Sequence, residues 1–75
     1  MTPVDQHVAR RIRGKRRALG LSADSLAKAL GVEPGRIAAY ERAEEPVPSA
    51  HLARLSEILG VPLDYFFPSR SRRER

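Results

Sequence analysis

The sequence contains no cysteine and no tryptophan, and its aromatic residues amount to two tyrosines and two phenylalanines. Without thiols there are no disulfides and no thiolate metal sites, a composition that fits a reducing compartment. The two histidines, His7 and His51, are far apart and show no HxxH-type spacing, so they do not form a metal-binding pair. No apolar run approaches the roughly 20 residues needed to span a bilayer, and the charged start lacks the apolar core of a secretory signal. A cytoplasmic protein with no membrane partner is expected. Phosphate-cradling patterns of the GxGxxG or GxxxxGK kind are missing, and no serine has a histidine at motif spacing. At 75 residues the chain is one domain, or a domain with a tail. A chain this short buries about 60% of its unfolded surface, which leaves little room for an enzyme pocket. Adjacent Glu44 and Glu45 therefore read as solvated loop acids. No enzyme, no cofactor and no small-molecule ligand are expected.

What the chain does contain is positive charge, and it is unevenly placed. The formal charge is +5, from 14 lysines and arginines against nine acids. Arg10, Arg11, Arg13, Lys15, Arg16 and Arg17 form one basic run, and Arg70, Arg72, Arg73 and Arg75 form another. The long middle, residues 18–69, is acidic on balance, with Lys28, Arg36, Arg42 and Arg54 opposed by seven carboxylates. Attraction to a polyanion must therefore come mainly from the first basic run and the tail.

The stretch Leu21–Arg42, LSADSLAKALGVEPGRIAAYER, organises the rest. Ser22 suits the cap of a short helix, about Ala23 to Leu30, whose Leu26, Ala27 and Leu30 recur at helical spacing, and Gly31 suits its end. Pro34 opens a second helix, about Pro34 to Arg42, in which Ile37 and Tyr40 supply the inward stripe. A small residue at the crossing (Ala27), a glycine at the corner (Gly31) and a branched residue locking the second helix (Ile37) meet the packing needs of a helix-turn-helix.

These residues resemble the Cro/CI-type repressors, also called the XRE family of bacterial and phage regulators. Similar chains have an arginine-rich first helix, a unit close to LSxxxLAxxLGVxxxxIxxYERG, a polar loop, a fourth helix and an ending like LGVPLDYFF, and the matching segments here run from about Val8 to Phe67. The resemblance implies an all-α, five-helix lambda-repressor-like fold over residues 1–67; the basic tail over residues 68–75, which has no apolar residue, is expected to be disordered when free. It implies double-stranded DNA as partner, a homodimer, and transcriptional regulation, more often repression. It also implies that Arg16 pairs with Glu41, tying helix one to the end of helix three. Such a buried pair mainly enforces one geometry, because desolvation offsets much of its attraction.

Helix one is expected from about Asp5 to Leu19, with Val8, Ile12 and Leu19 buried and Gly20 closing it. Arg10, Arg13, Lys15 and Arg17 are candidates for phosphate contact, together with Ser22, Ala23 and Arg42; the bland alternative is a solvated charged face. Relatives commonly place glutamine where Ala23 stands, a reach that alanine lacks. Ser25 replaces the usual capping-box glutamate.

Helix three is expected in the major groove with Pro34, Gly35, Arg36 and Ala39 toward base edges. Arg36 alone can make a bidentate contact to guanine O6 and N7; it can equally clasp a phosphate or point into water. Relatives usually continue with glycine and a polar or basic loop, whereas here Ala43, Glu44, Glu45, Pro46, Val47 and Pro48 follow. The two carboxylates, and the lack of base-reading side chains at Ala23, Gly35, Ala38 and Ala39, support a rival reading. In it the unit is a degenerate helix-turn-helix that binds protein: RNA polymerase, a second regulator, or a toxin. Helix four is expected from a Ser49 cap to about Leu59, and a short fifth helix should end at Tyr65, Phe66 and Phe67, where aromatic edges close the core or serve a dimer contact. The tail can meet DNA, an acidic protein, or nothing.

Overall fold

The computed structural model describes residues 3–68. Four α-helices follow one another, α1 (Pro3–Ala18), α2 (Ala23–Leu30), α3 (Pro34–Glu41) and α4 (Ser49–Leu59), and a 3-10 turn over Leu63–Phe66 closes the chain. Among the described residues there is no strand, and no helix is long and apolar enough to cross a membrane. The expected fifth helix is thus one turn of i→i+3 bonds, Tyr65 N–H to the Pro62 carbonyl at 3.0 Å and Phe67 N–H to that of Asp64 at 3.1 Å. The five residues between Pro62 and Pro68 are too few for more than a tight turn. The arginine-rich tail, residues 69–75, lies outside the described residues.

Each α-helix ends with the same pair of reverse bonds. At α1, Gly20 N–H reaches the Arg17 carbonyl and Leu21 N–H that of Arg16, both at 3.0 Å; at α2, Gly31 and Val32 reach Lys28 and Ala27; at α4, Gly60 and Val61 reach Glu57 and Ser56. This is the Schellman motif, which needs a left-handed residue and favours an apolar one after it. At the end of α3 the same bonds form, Ala43 N–H to Tyr40 at 3.1 Å and Glu44 N–H to Ala39 at 2.9 Å. There alanine, not glycine, takes φ +59°, and glutamate follows it. Ala43 is also buried, so its methyl is packed in a backbone conformation that L-residues disfavour.

Every element contributes to one core. Ile12 of α1, Leu26 of α2, Ile37 and Tyr40 of α3, Leu55 of α4 and Phe66 of the final turn are fully enclosed. Each such side chain contributes about 1.5–3 kcal/mol relative to exposure, before the entropy cost of ordering the chain. Three local expectations are corrected. Leu19 is 48% exposed, because α1 stops at Ala18 and the Gly20 reversal carries the chain off the helical face that Leu19 would have continued. Helix α1 starts at Pro3 rather than Asp5. Ser49 is the first residue of α4 rather than its cap: Leu52 N–H bonds the Pro48 carbonyl at 2.9 Å, so Pro48 holds the cap position with no side-chain bond to offer.

Candidate nucleic-acid interface

Helices α2 and α3 and the turn between them hold the shape expected of a helix-turn-helix. Ser22 is extended, its Oγ accepts the Ser25 N–H at 3.0 Å, and its hydroxyl also meets Ser25 Oγ at 3.0 Å. The hydroxyl is therefore engaged in capping. Gly31 turns the corner with φ +86°, and Pro34 stands at the start of α3 after an uncapped Glu33. Ile37 and Tyr40 point into the core, leaving Pro34, Gly35 and Arg36 exposed and Ala38 and Ala39 half-buried. Tyr40 is further fixed by a 2.8 Å hydrogen bond between its hydroxyl and His51 Nδ1 on α4.

Helix α1 is held against this unit by Arg16. Its Nε and Nη2 donate to the two carboxylate oxygens of Glu41 at 2.6 and 3.0 Å, and its Nη1 donates to the Leu21 carbonyl at 2.8 Å. One guanidinium thus joins α1, the loop into α2, and the end of α3. The side chains are only 14% and 9% exposed. The hydrogen bond to Glu41 raises the Arg16 pKa above its ordinary value, against the opposing effect of burial.

Around this pair lies a groove of about 280 Å³ lined by Arg13, Arg16, Arg17, Ala23, Ala38, Glu41 and Arg42. Arg16 and Glu41 answer each other, so the charge presented outward comes from Arg13, Arg17 and Arg42. Three guanidinium groups beside the first turn of α2, where helical N–H groups lack intrahelical partners, suit an anion. Of the other sequence candidates, neither Arg10 nor Lys15 lines the groove. Arg10 shares the face of Arg17 but sits two turns, about 10 Å, before it, and Lys15 lies about 160° around the helix from Arg13. Arg11 takes a different place. Its guanidinium stacks over the Tyr65 ring at 4.8 Å, and its Nε donates to His7 Nε2 at 3.4 Å. Burial, then the charges of Arg11 and Arg10, lower the His7 pKa below its ordinary value.

Arg36 is separated from the groove. Two residues from Ala38, it stands about 160° around α3, and its Nε lies 3.7 Å from Glu45 Oε1. Arg42 Nη1 lies 3.7 Å from Glu44 Oε2. Sequence reading missed these pairs, the Tyr40–His51 bond and the Arg11–Tyr65 stack. Only the left-handed Ala43 had a visible signal, since it occupies the place where relatives carry glycine. Among the described residues no three His, Cys, Asp or Glu side chains are grouped to hold a metal ion.

A family model described as helix-turn-helix matches residues 12–66. An uncharacterized transcriptional regulator in the ATPase CF(0) region of Rhodospirillum rubrum is 39% identical over 69 residues, which are 92% of this chain and 64% of that protein. The chain spans about half the length of other curated relatives, such as an HTH-type regulator of Sinorhizobium medicae at 47%. Among solved structures, the restriction-modification controller protein C.AhdI from Aeromonas hydrophila aligns with a TM-score of 0.79 and 25% identity over 84% of this chain and 96% of that one. The clp gene regulator ClgR from Corynebacterium glutamicum aligns with a TM-score of 0.80 and 26% identity over 88% and 86%. Hydroxypropylphosphonic acid epoxidase from S. wedmorenis also aligns, with a TM-score of 0.79 and 25% identity, but over 85% of this chain and only 34% of the enzyme. The matched span, the glycine corner at Gly31 and the buried Ile37 and Tyr40 place this chain in the Cro/CI-type, or XRE, family of helix-turn-helix proteins.

Proposed function

We propose that the chain is a sequence-specific, double-stranded-DNA-binding transcriptional regulator, and a repressor in its simplest mode of action. The observation that carries the reading is the groove in which Arg13 and Arg17 of α1 meet Arg42 of α3 beside Ala23 at the start of α2. On duplex DNA this groove takes a backbone phosphate, and α3 then enters the major groove with Pro34, Gly35 and Ala39 at base edges and Arg36 at its flank. Arg10 extends the phosphate track along α1. The Ser22 backbone lies at its margin, while Lys15, on the other side of α1, is left out of it. Relatives and structural neighbours named as regulators support this reading. Residues 1–67 are the DNA-reading unit and residues 68–75 a basic extension, in a cytoplasmic protein that binds inverted repeats as a homodimer, with half-sites about 34 Å apart.

The second reading, a protein-interaction module for RNA polymerase or another regulator, draws on the outward face of α3, where Gly35, Ala38 and Ala39 offer no hydrogen-bonding side chain. Selection of fragmented host DNA on the purified protein at about 0.15 M salt separates the two, because nonspecific attraction is then screened to about 8 Å. Enriched fragments sharing an inverted repeat support the operator-binding dimer. Uniform or absent retention overturns it in favour of the interaction module.

A further inference from the structure

Three like charges are gathered in one groove. Arg13 and Arg17 stand a turn apart on α1, Arg42 caps the end of α3, and all three line the groove of about 280 Å³ together with the small Ala23 and Ala38. Like charges at this helical spacing repel, and the third cation adds to that repulsion. The acids nearby do not cancel it. Glu41 is held by Arg16 at 2.6 and 3.0 Å, and Glu44 lies 3.7 Å from Arg42 with both side chains more than half exposed, where water screens most of the attraction. Among the described residues Arg13 and Arg17 have no ion-pair partner. Uncompensated positive charge therefore meets in a concavity that no bulky side chain fills.

We infer that this groove is a binding site for the diphosphate of a free nucleotide, and that a bound diphosphate excludes duplex DNA. The exclusion rests on the duplex-DNA reading above, in which the same groove takes a backbone phosphate. Along a DNA strand each phosphate is separated from the next by a sugar, so a groove of this size takes one at a time. A phosphodiester brings a single charge, whereas a terminal phosphate brings about −1.5 to −2 at pH 7 and a diphosphate more. One DNA phosphate thus leaves three guanidinium groups with an excess of positive charge. A diphosphate carries more charge and two sets of acceptor oxygens, which suit several forked donors at once. Drawing Arg42 away from Glu44 costs the same for either ligand, but the gain grows with the charge of the ligand. Ala23 and Ala38 leave the room, and the Ala23 N–H, first of α2, has no intrahelical acceptor and adds a donor.

Thermal unfolding of the full chain at constant ionic strength, without magnesium, tests the site with inorganic pyrophosphate and ADP, and with orthophosphate for comparison. Both diphosphates should raise the melting temperature saturably, with dissociation constants at least about tenfold below that of orthophosphate, the worth of one further charge-assisted hydrogen bond. Arg17→Ala should weaken both about tenfold. Lys15→Ala removes the same charge on the other side of α1 and should change them less than about twofold. In fluorescence anisotropy, pyrophosphate should release the duplex most enriched in genomic selection beyond the effect of sodium chloride at equal ionic strength. Diphosphates no tighter than orthophosphate, or equal weakening by Lys15→Ala, overturns the inference, because the cations then act only as a diffuse field. A duplex bound about tenfold more tightly with 5′-phosphates than with 5′-hydroxyls would assign the groove to DNA ends and overturn the nucleotide. A chain that binds pyrophosphate but retains no duplex supports the site and defeats the duplex reading, and the exclusion with it. Normal duplex selection with no diphosphate effect defeats the inference alone.

Discussion

Arg16→Ala should be the most damaging single substitution at the polar face of this domain. It removes three hydrogen bonds at once, two to Glu41 and one to the Leu21 carbonyl. It also leaves a 9%-exposed carboxylate without the cation it is hydrogen-bonded to. Breaking a buried ion pair by deleting one partner costs about 3–5 kcal/mol. Since part of each side chain still touches water, about 3 kcal/mol is the appropriate end of that range. A chain of this size has a total stability of roughly 4–11 kcal/mol, so the loss is a large fraction of the whole. At 4–8 °C per kcal/mol for domains of this length, the melting temperature should fall by about 12–24 °C. Glu41→Gln should fall less, because an amide still accepts one hydrogen bond. The double variant Arg16→Met with Glu41→Leu should melt above either Arg16→Ala or Glu41→Ala, since two apolar groups leave no charge stranded. The raised pKa of Arg16 adds a sign: its contribution is complete below the ordinary arginine value and fades only as the solution becomes strongly alkaline. Scanning calorimetry of the four variants across neutral pH tests this. A melting temperature for Arg16→Ala within about 4 °C of wild type would refute the assigned role.

Arg13→Ala should weaken all duplexes alike and reduce the salt slope by about 0.9, while Arg36→Ala should act mainly on guanine-containing sites; titrations at several salt concentrations distinguish them. Ala43→Gly removes about 1–2 kcal/mol of left-handed strain but also a buried methyl worth about 0.8 kcal/mol and some unfolded-state restriction, so its melting point should stay near wild type. Ala43→Val, which adds β-branching to φ +59°, should by contrast cost more than about 2 kcal/mol in urea unfolding. Tyr40→Phe should cost about 1 kcal/mol, the net worth of the bond to His51, and a wild-type melting curve would count against that bond. The lowered pKa of His7 means that the folded state resists its protonation, so the stability it contributes is complete above the usual histidine value of about 6.5 and is lost as pH falls below it. An NMR titration should give His7 a midpoint below that value.

The helices were legible because their periodicity and punctuation agree. Ile37 and Tyr40 repeat at the right interval, and Gly31 and Gly60 stand where a left-handed residue is needed. Leu19 was misread because the interval from Ile12 continues the apolar stripe although the helix has already ended. The end of α3 was legible as an anomaly: alanine where glycine is usual marks the strained turn that the structure contains. The partners of Arg36, Arg42 and Tyr40 were not legible. A carboxylate two or nine residues away in a turn, or a histidine on the next helix, leaves no period in a sequence, and only the reversal at Ala43 and the packing of α4 bring them together. Likewise the basic run of α1 could not reveal how its charges divide. Packing assigns Arg16 to the interior, Arg11 to a tyrosine ring, and Arg13 with Arg17 to the groove.

In the proposed complex, duplex DNA is held between the start of α2 and the outer face of α3. Amide-resolved NMR titration with the duplex most enriched in genomic selection tests it most directly. Saturable, salt-sensitive shifts are expected at Ser22, Ala23, Asp24, Gly35, Ala38 and Arg42, with the amides of α4 little affected. Shifts confined to a second groove, the one lined by Val4, Val8, Val47, Leu52 and Phe67, or none on α3, would contradict it.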